Sequence, residues 1–363
     1  MLGVLKQLQS RVRAGRRGPG HVSVDSLVSA LHHRVTTAIL LVCCALVCSR
    51  QYFGEPILCI QDAPDDKASI PSKVLNTYCF VSSTYTVPGP TGETWQGQGQ
   101  PERRHAYYQW VPFVLFLQAL LFAGPHAAWR SWEGGLVRGS LADFKHELRG
   151  PDRDKVRTLA RYFAARLHTF RAWAAGFYTC ELLNLLNVAA NMVLTDQLLG
   201  GNFYQYGLQM SLYGLQVLKT SPADSVFPKL TKCLFRKYGP SGTIETHDAL
   251  CVMAQNVVNE KIFTALWFWF ALLFLVSALT VLWRILLLGM LLCGRGFVAS
   301  WAQRALGMPV VPNSVTRRLD CGDWLFLQLL VTNMGRSLRR EFMEQLVQAM
   351  ERGKSSEMRP IWT

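Results

Sequence analysis

Four long apolar segments divide this chain, and the polar stretches after the first and third each hold one pair of cysteines, Cys59 with Cys79 and Cys233 with Cys251. A membrane span needs roughly 20 mostly apolar residues to cross about 30 Å of hydrocarbon, with its backbone polar groups satisfied internally. Ser29 to Cys48, Tyr107 to Ala128, Ala172 to Leu199 and Ile262 to Trp283 meet that length. The fourth, IFTALWFWFALLFLVSALTVLW, holds no charge in 22 residues. Only 17% of the chain is charged and half is hydrophobic, against about 25% charged in a soluble domain. The pattern predicts an all-α membrane protein, a four-transmembrane-helix bundle with stapled extracellular loops and a helical cytoplasmic layer.

The first span is the weakest, with an uninterrupted core only from Val35 to Cys48. A basic stretch before a short apolar core resembles a secretory signal. The basic region is long for a signal, however, and Ser49-Arg50-Gln51-Tyr52 offers no small-residue cleavage pattern. A retained helix is expected, extended backwards through Leu27, Val28, Ala30 and Leu31.

Charge sets the orientation. Residues 1–34 carry six Lys/Arg and one acid, 129–171 ten and five, and 294–363 ten and six; 50–106 carry five and six, and 201–262 six and four. The first group nets +14 and the second +1. The positive-inside rule then puts both termini and the middle loop in the cytoplasm. The expected divisions are 1–28 (cytoplasmic), 29–49 (span), 50–106 (extracellular), 107–128 (span), 129–171 (cytoplasmic), 172–200 (span), 201–261 (extracellular), 262–283 (span) and 284–363 (cytoplasmic). The basic excess is read as a topology signal facing anionic membrane lipids, not as a nucleic-acid patch.

Several local features carry expectations. Met1 to Leu8 is apolar and periodic, before the basic hinge RVRAGRRGPG. Thr86 to His105 is rich in Gly, Pro and Gln and should be a mobile excursion. Pro112, near the outer end of the second span, should kink it. Val156, Leu159, Tyr162, Phe163 and Leu167 have helical spacing, for a cytoplasmic layer or a helix lying on the membrane. Glu181, Asn184, Asn187 and Asn191 share one helix face. That face lines a pore or, the favoured reading, bonds helices together. Arg284 is expected to snorkel to the cytoplasmic interface.

No catalytic constellation stands out, which disfavours an enzyme, and no cofactor is implied. His32-His33 suggests a metal site, but adjacent residues do not face each other on a helix. The outside cysteines carry the firmest signal. Four cysteines allow three connectivities. Pairing within loops encloses 19 and 17 residues, pairing across loops ties the two together, and energy alone does not choose.

Several segments resemble the innexin family, the gap-junction proteins of invertebrates, in its insect type. The residues are YYQWVPF (Tyr107 to Phe113, with Tyr107, Tyr108, Gln109, Trp110 and Val111 as the motif's core) and VLNTYCFVSSTYT (Val74 to Thr86). To these add FPKLTKCLFRKYGPSGTIETHDALC followed by NVVNEKIFTALWFWF, RSWEGG (Arg130 to Gly135) and GDWLFLQLL (Gly322 to Leu330). Phe80 stands where many members have tryptophan. The resemblance implies rings of eight subunits forming hemichannels in the plasma membrane. Hemichannels of neighbouring cells dock through the outside loops and pass ions and small molecules. It further implies that the N-terminal segment helps form the pore, making Met1, Leu2, Val4 and Leu5 lining candidates. The implied disulfides are Cys59–Cys251 and Cys79–Cys233. Two alternatives stand beside this reading: an undocked hemichannel releasing small molecules, and a non-conducting four-span adhesion or scaffold protein.

Overall fold

The computed structural model describes residues 24–61, 70–86, 103–144, 152–216, 222–239, 241–293 and 318–357. Met1, Leu2, Val4 and Leu5, and most of the Gly/Pro-rich excursion, lie outside the described residues. Among the described residues, four helices are long and apolar enough to cross a membrane. They are α1 (Leu27–Phe53), α3 (Val111–Glu133), α5 (Arg171–Leu198) and α7 (Ala254–Cys293), with the shorter α6 (Phe203–Gly214) between the last two. Ser26 starts α1, its side chain accepting from Ser29 N at 3.1 Å. One stretch of α1, Leu31–Thr36, winds as a π-helix.

Proline placement differs from expectation. Pro112 lies in the first turn of α3, where a missing N–H costs nothing, so it begins the helix instead of kinking it. The interior proline is Pro125.

The chain divides into two compact units, and each long helix contributes residues to both. One unit, Arg34–Ala123 with Leu186–Leu275, holds all the described strands. These are β1 (Leu58–Ile60), β2 (Thr84–Thr86), β3 (Arg103–His105), β4 (Leu230–Tyr238) and β5 (Ile244–Val252). They form one antiparallel sheet in the order β1-β5-β4-β2-β3. The helix α2 (Ser72–Ser82) packs on it, burying Leu75 and Cys79. Thr86 and Arg103 to His105, assigned to the mobile excursion by composition, are strand residues paired Thr84↔His105, Tyr85↔Arg104 and Thr86↔Arg103.

The other unit, Met1–His33 with Gly124–Leu185 and Val276–Thr363, is helical in its described residues. The helix α4 (Arg153–Ala165) opens with Asp152 as cap and buries Val156, Leu159, Ala160 and Phe163. That apolar face packs on α9 (Arg336–Glu357) and on Phe326 of α8 (Cys321–Asn333), the helical layer and not a lone amphipathic helix. Tyr162 is only half-buried and Leu167 lies past the helix end. Helix α8 is mostly apolar, buries residues all round including Asp323, and is too short to span a bilayer. It is buried instead, with Phe326 stacked on Phe170 at 4.2 Å and edge-on to Trp173 at 5.5 Å.

Gly322 sets how closely α8 approaches the start of α5. A Cβ there would lie 2.7 Å from the backbone carbonyl of Phe170. Backbone cannot swing aside as a side chain can, so Gly322→Ala should destabilise the helical unit by about 1–3 kcal/mol. Thermal unfolding of detergent-solubilised protein checks this against Gly139→Ala, where nothing lies within 4 Å and no loss is expected.

Candidate functional site

The site is the sheet made by the two cysteine-bearing loops. In the second loop, Thr231 and Cys233 on β4 and Ala249 and Cys251 on β5 are buried at alternate positions. The strands pair from Leu230↔Val252 to Tyr238↔Ile244, around a turn containing Gly239 and Gly242. At about 3.3 Å per residue each nine-residue strand reaches roughly 30 Å. Cross-strand ion pairs, Lys232 with Asp248 at 2.7 Å and Lys237 with Glu245 at 3.2 Å, decorate it. The sequence cue to the hairpin is the turn-forming Gly-Pro-Ser-Gly, since neither flanking run alternates.

Strands of the first loop flank this hairpin on both sides: β1 pairs with β5, and β2 with β4. Cys59 stands directly opposite Cys251 in the β1–β5 register and is bonded to it. Cys79, on α2, is bonded to Cys233 on β4. Both bridges therefore join loop to loop, and their four cysteines are buried with Ile57, Leu75, Tyr108 and Met253. Asn76 Oδ1 accepts from Cys59 N at 2.8 Å, tying α2 to β1.

Tyr107 to Val111 anchor this sheet to α3. Tyr107 Oη donates to Asn256 Oδ1 at 3.0 Å and Val226 O at 3.3 Å. Tyr108 Oη donates to Cys79 O at 3.5 Å. Gln109 Nε2 donates to Phe80 O at 2.6 Å and Val81 O at 3.1 Å. Val111 is buried, whereas Trp110 and Phe113 are exposed; the indole of Trp110 is the kind of amphipathic ring that suits a membrane interface. The motif thus spends its polar atoms on the end of α2 and on the second loop.

On the polar face of α5 only part of the bonding runs to other helices: Glu181 meets Arg284 of α7, while Asn191 Nδ2 donates within α5 to Asn187 O at 2.8 Å and Asn187 Oδ1 at 3.0 Å. Gln118 Nε2 donates to Thr195 Oγ1 at 2.8 Å and Asn191 O at 3.3 Å. Trp269 Nε1 donates to Thr36 Oγ1 at 2.9 Å. In the helical unit, Arg284 turns inward instead of snorkelling. It meets the buried Glu181 through Nε at 3.0 Å and Nη2 at 3.3 Å, with Phe177 under its guanidinium at 5.3 Å. Helix α7 continues past it to Cys293, so the arginine is in mid-helix.

RSWEGG and GDWLFLQLL also acquire physical roles. Glu133 accepts from Gly135 N at 2.8 Å and Val137 N at 3.0 Å, closing α3 into a turn in which Gly134 and Gly135 have positive φ. Asp323 is fully buried and accepts from His168 N at 2.9 Å and Asp320 N at 3.1 Å. Burial raises its carboxyl above the ordinary range, against those hydrogen bonds. At Asp320 burial also pushes upward, but hydrogen bonds from Arg171 and His168 hold the carboxyl below its usual value.

These features define a class: a multi-pass membrane protein whose loops form a rigid cross-linked face, as channel and junction subunits have. The family model "Innexin" matches residues 25–350. Innexin inx3 of Drosophila melanogaster is 37% identical over 338 residues, covering 89% of this chain and 84% of the relative. Innexin inx2 of the same species is 37% identical over 358 residues, with 91% and 92% covered. Innexin shaking-B is 35% identical over 362 residues, with 95% and 94% covered. The chain belongs to the innexin family, whose members are gap-junction channel subunits.

Two outcomes follow for the spans and the sheet. Removing one partner of a buried ion pair costs about 3–5 kcal/mol, whereas replacing both with apolar residues is often neutral. Glu181→Leu alone should therefore destabilise strongly, and adding Arg284→Met should recover most of the loss, as denaturation of the purified variants would show. Deleting 88–100 should leave folding and surface delivery near wild type, because the β2–β3 pairs hold the ends together. Surface biotinylation reads this, and intracellular retention of the deletion would contradict it.

Proposed function

We propose that eight copies of this chain surround a pore in the plasma membrane, with other innexin subunits admissible in the ring and membrane lipids around it. Both termini and residues 129–171 face the cytoplasm. The sheet faces outward and docks with the sheets of a hemichannel on the neighbouring cell. The docked pair passes ions and small molecules, and Met1, Leu2, Val4 and Leu5 line a funnel at its mouth.

One observation supports docking above all: both loops are woven into one sheet and bridged twice. Ordering flexible loops during association would cost affinity, and a preformed sheet avoids that cost. The charge split of +14 against +1 supports the orientation. Exposed Tyr238 and Ile244 near the β4–β5 turn offer apolar contact at the tip.

Dye transfer between paired cells, measured beside dye uptake by single cells, tests the reading. Transfer between pairs is expected. Uptake without transfer would mark an undocked hemichannel, and neither would mark a non-conducting adhesion protein. Epitope tags at either terminus should be reachable only after permeabilisation. Cys79→Ser or Cys251→Ser should abolish transfer even where protein reaches the surface, since losing a native bridge typically costs about 2–5 kcal/mol. Cys43→Ala, at a half-buried free thiol, should be mild. Non-reducing peptide mapping that found Cys59 linked to Cys79 in coupled cells would refute the docking argument.

A further inference from the structure

Asp25, His33 and His126 converge in the helical unit, each offering one ligand atom, all within 4.8 Å of one another. Asp25 lies just before the cap of α1. His33 falls in the π-helical stretch Leu31–Thr36, and such bulges are frequent at functional sites. His126 follows Pro125 inside α3. The adjacent histidines of α1 part company here: His32 Nε2 meets Ser277 Oγ at 2.7 Å, while the His33 ring stacks on His126 at 3.6 Å. The sequence argument against a site built from His32 and His33 together still holds, because the second imidazole comes from α3.

The proton on His33 is fixed by its surroundings. Nδ1 lies 2.7 Å from Ser29 O, and a carbonyl only accepts, so Nδ1 carries the hydrogen. In the neutral ring Nε2 is then the acceptor nitrogen, 4.0 Å from Asp25 Oδ2. A backbone carbonyl on the far ring nitrogen is the support that metal-ligating histidines ordinarily have. His126 Nδ1 is buried without a hydrogen bond, 3.5 Å from Asp25 Oδ1. We propose that Asp25, His33 and His126 form a binding site for a divalent transition metal of the zinc type, clamping the start of α1 to α3. Two imidazoles and a carboxylate suit that class and leave a fourth position for water. With bonds of about 2.0–2.1 Å, tetrahedral ligand atoms sit roughly 3.4 Å apart. The cluster therefore tightens on binding, and the two rings tilt out of their stack so that their lone pairs converge. Among the described residues a second mixed cluster, His168 with Asp320 and Asp323, offers one imidazole where this one offers two.

The test uses the full chain purified in detergent, titrated with Co2+ alone and then with Zn2+. Wild type should bind one Co2+ per chain with visible ligand-field bands that Zn2+ abolishes. His33→Gln, His126→Gln and Asp25→Asn should each weaken binding by about 100-fold or more, while eluting as wild type in size-exclusion chromatography. Zn2+ should raise the melting temperature of wild type and of none of the three. Absence of binding by wild type at micromolar metal would overturn the site. So would variants that bind as wild type does, or a spectrum dominated by thiolate charge transfer from the free cysteines. Binding is read without conduction, so dye coupling measured in parallel separates failure of this site from failure of the channel reading.

Discussion

Cys59 and Cys251 face each other across two neighbouring strands that belong to different loops, 192 residues apart in the chain. The rest of the sheet-bearing unit depends on that crossing. Because β1 adds to one edge of the β4–β5 hairpin and β2 to the other, the full five-stranded sheet forms only when both loops contribute. The second bridge, Cys79–Cys233, pins α2 over the hairpin. Tyr107, Tyr108 and Gln109 then carry the constraint into α3. A displacement of the sheet is therefore felt at the first turn of a spanning helix within a few residues. That gives the cross-linked loops a mechanical route to the spans.

The spans were legible because length and apolarity are one-dimensional properties, as in Ile262 to Trp283. What lay hidden was mostly pairing. Cysteine count permits three connectivities, and resemblance alone favoured one. The strands were hidden for a different reason. Those of the first loop are three residues long, below the reach of any periodicity, and β4 and β5 mix charged with apolar positions on their exposed face. Thr86 and Arg103 to His105 were assigned by the composition of their neighbours, while their own β-pairing closes the excursion. Arg284 was judged by its distance along the helix alone. Its partner lies on α5, 103 residues away, and no one-dimensional rule connects them. Pro112 shows the converse error: a kink depends on where the helix starts, and Val111 starts it.

Polar residues inside the spans serve specificity more than stability. Apolar side chains gain little from leaving lipid for one another, so hydrogen bonds and close packing set which helix faces meet. Gln118 with Thr195, Trp269 with Thr36, and Arg284 with Glu181 each join a different pair of helices. A buried ion pair is weak evidence of net stabilisation, but it penalises every rotation of α7 that strands one charge. On α5, Glu181 and Thr195 hold neighbouring helices, while Asn191 turns its amide to Asn187 of the same helix.

The outer faces of these helices carry the complementary argument. Leu41, Val42 and Leu46 on α1 and Leu272, Leu275 and Leu279 on α7 are all exposed in the single chain. Contiguous apolar surface on this scale is not maintained against water. Lipid satisfies it wherever the surface is smooth and purely apolar. Where α1 shows small and polar positions among the apolar ones, as at Thr37, Cys43 and Cys44, lipid tails offer no hydrogen bonds, and Thr37 and Cys44 already turn theirs to carbonyls of α3. The chain therefore turns Thr37 and Cys44 of α1 toward α3 and leaves the apolar side of α1 for a second copy or the bilayer. A ring of subunits needs that division, since its contacts must close around the pore without exposing an unpaired polar group to hydrocarbon.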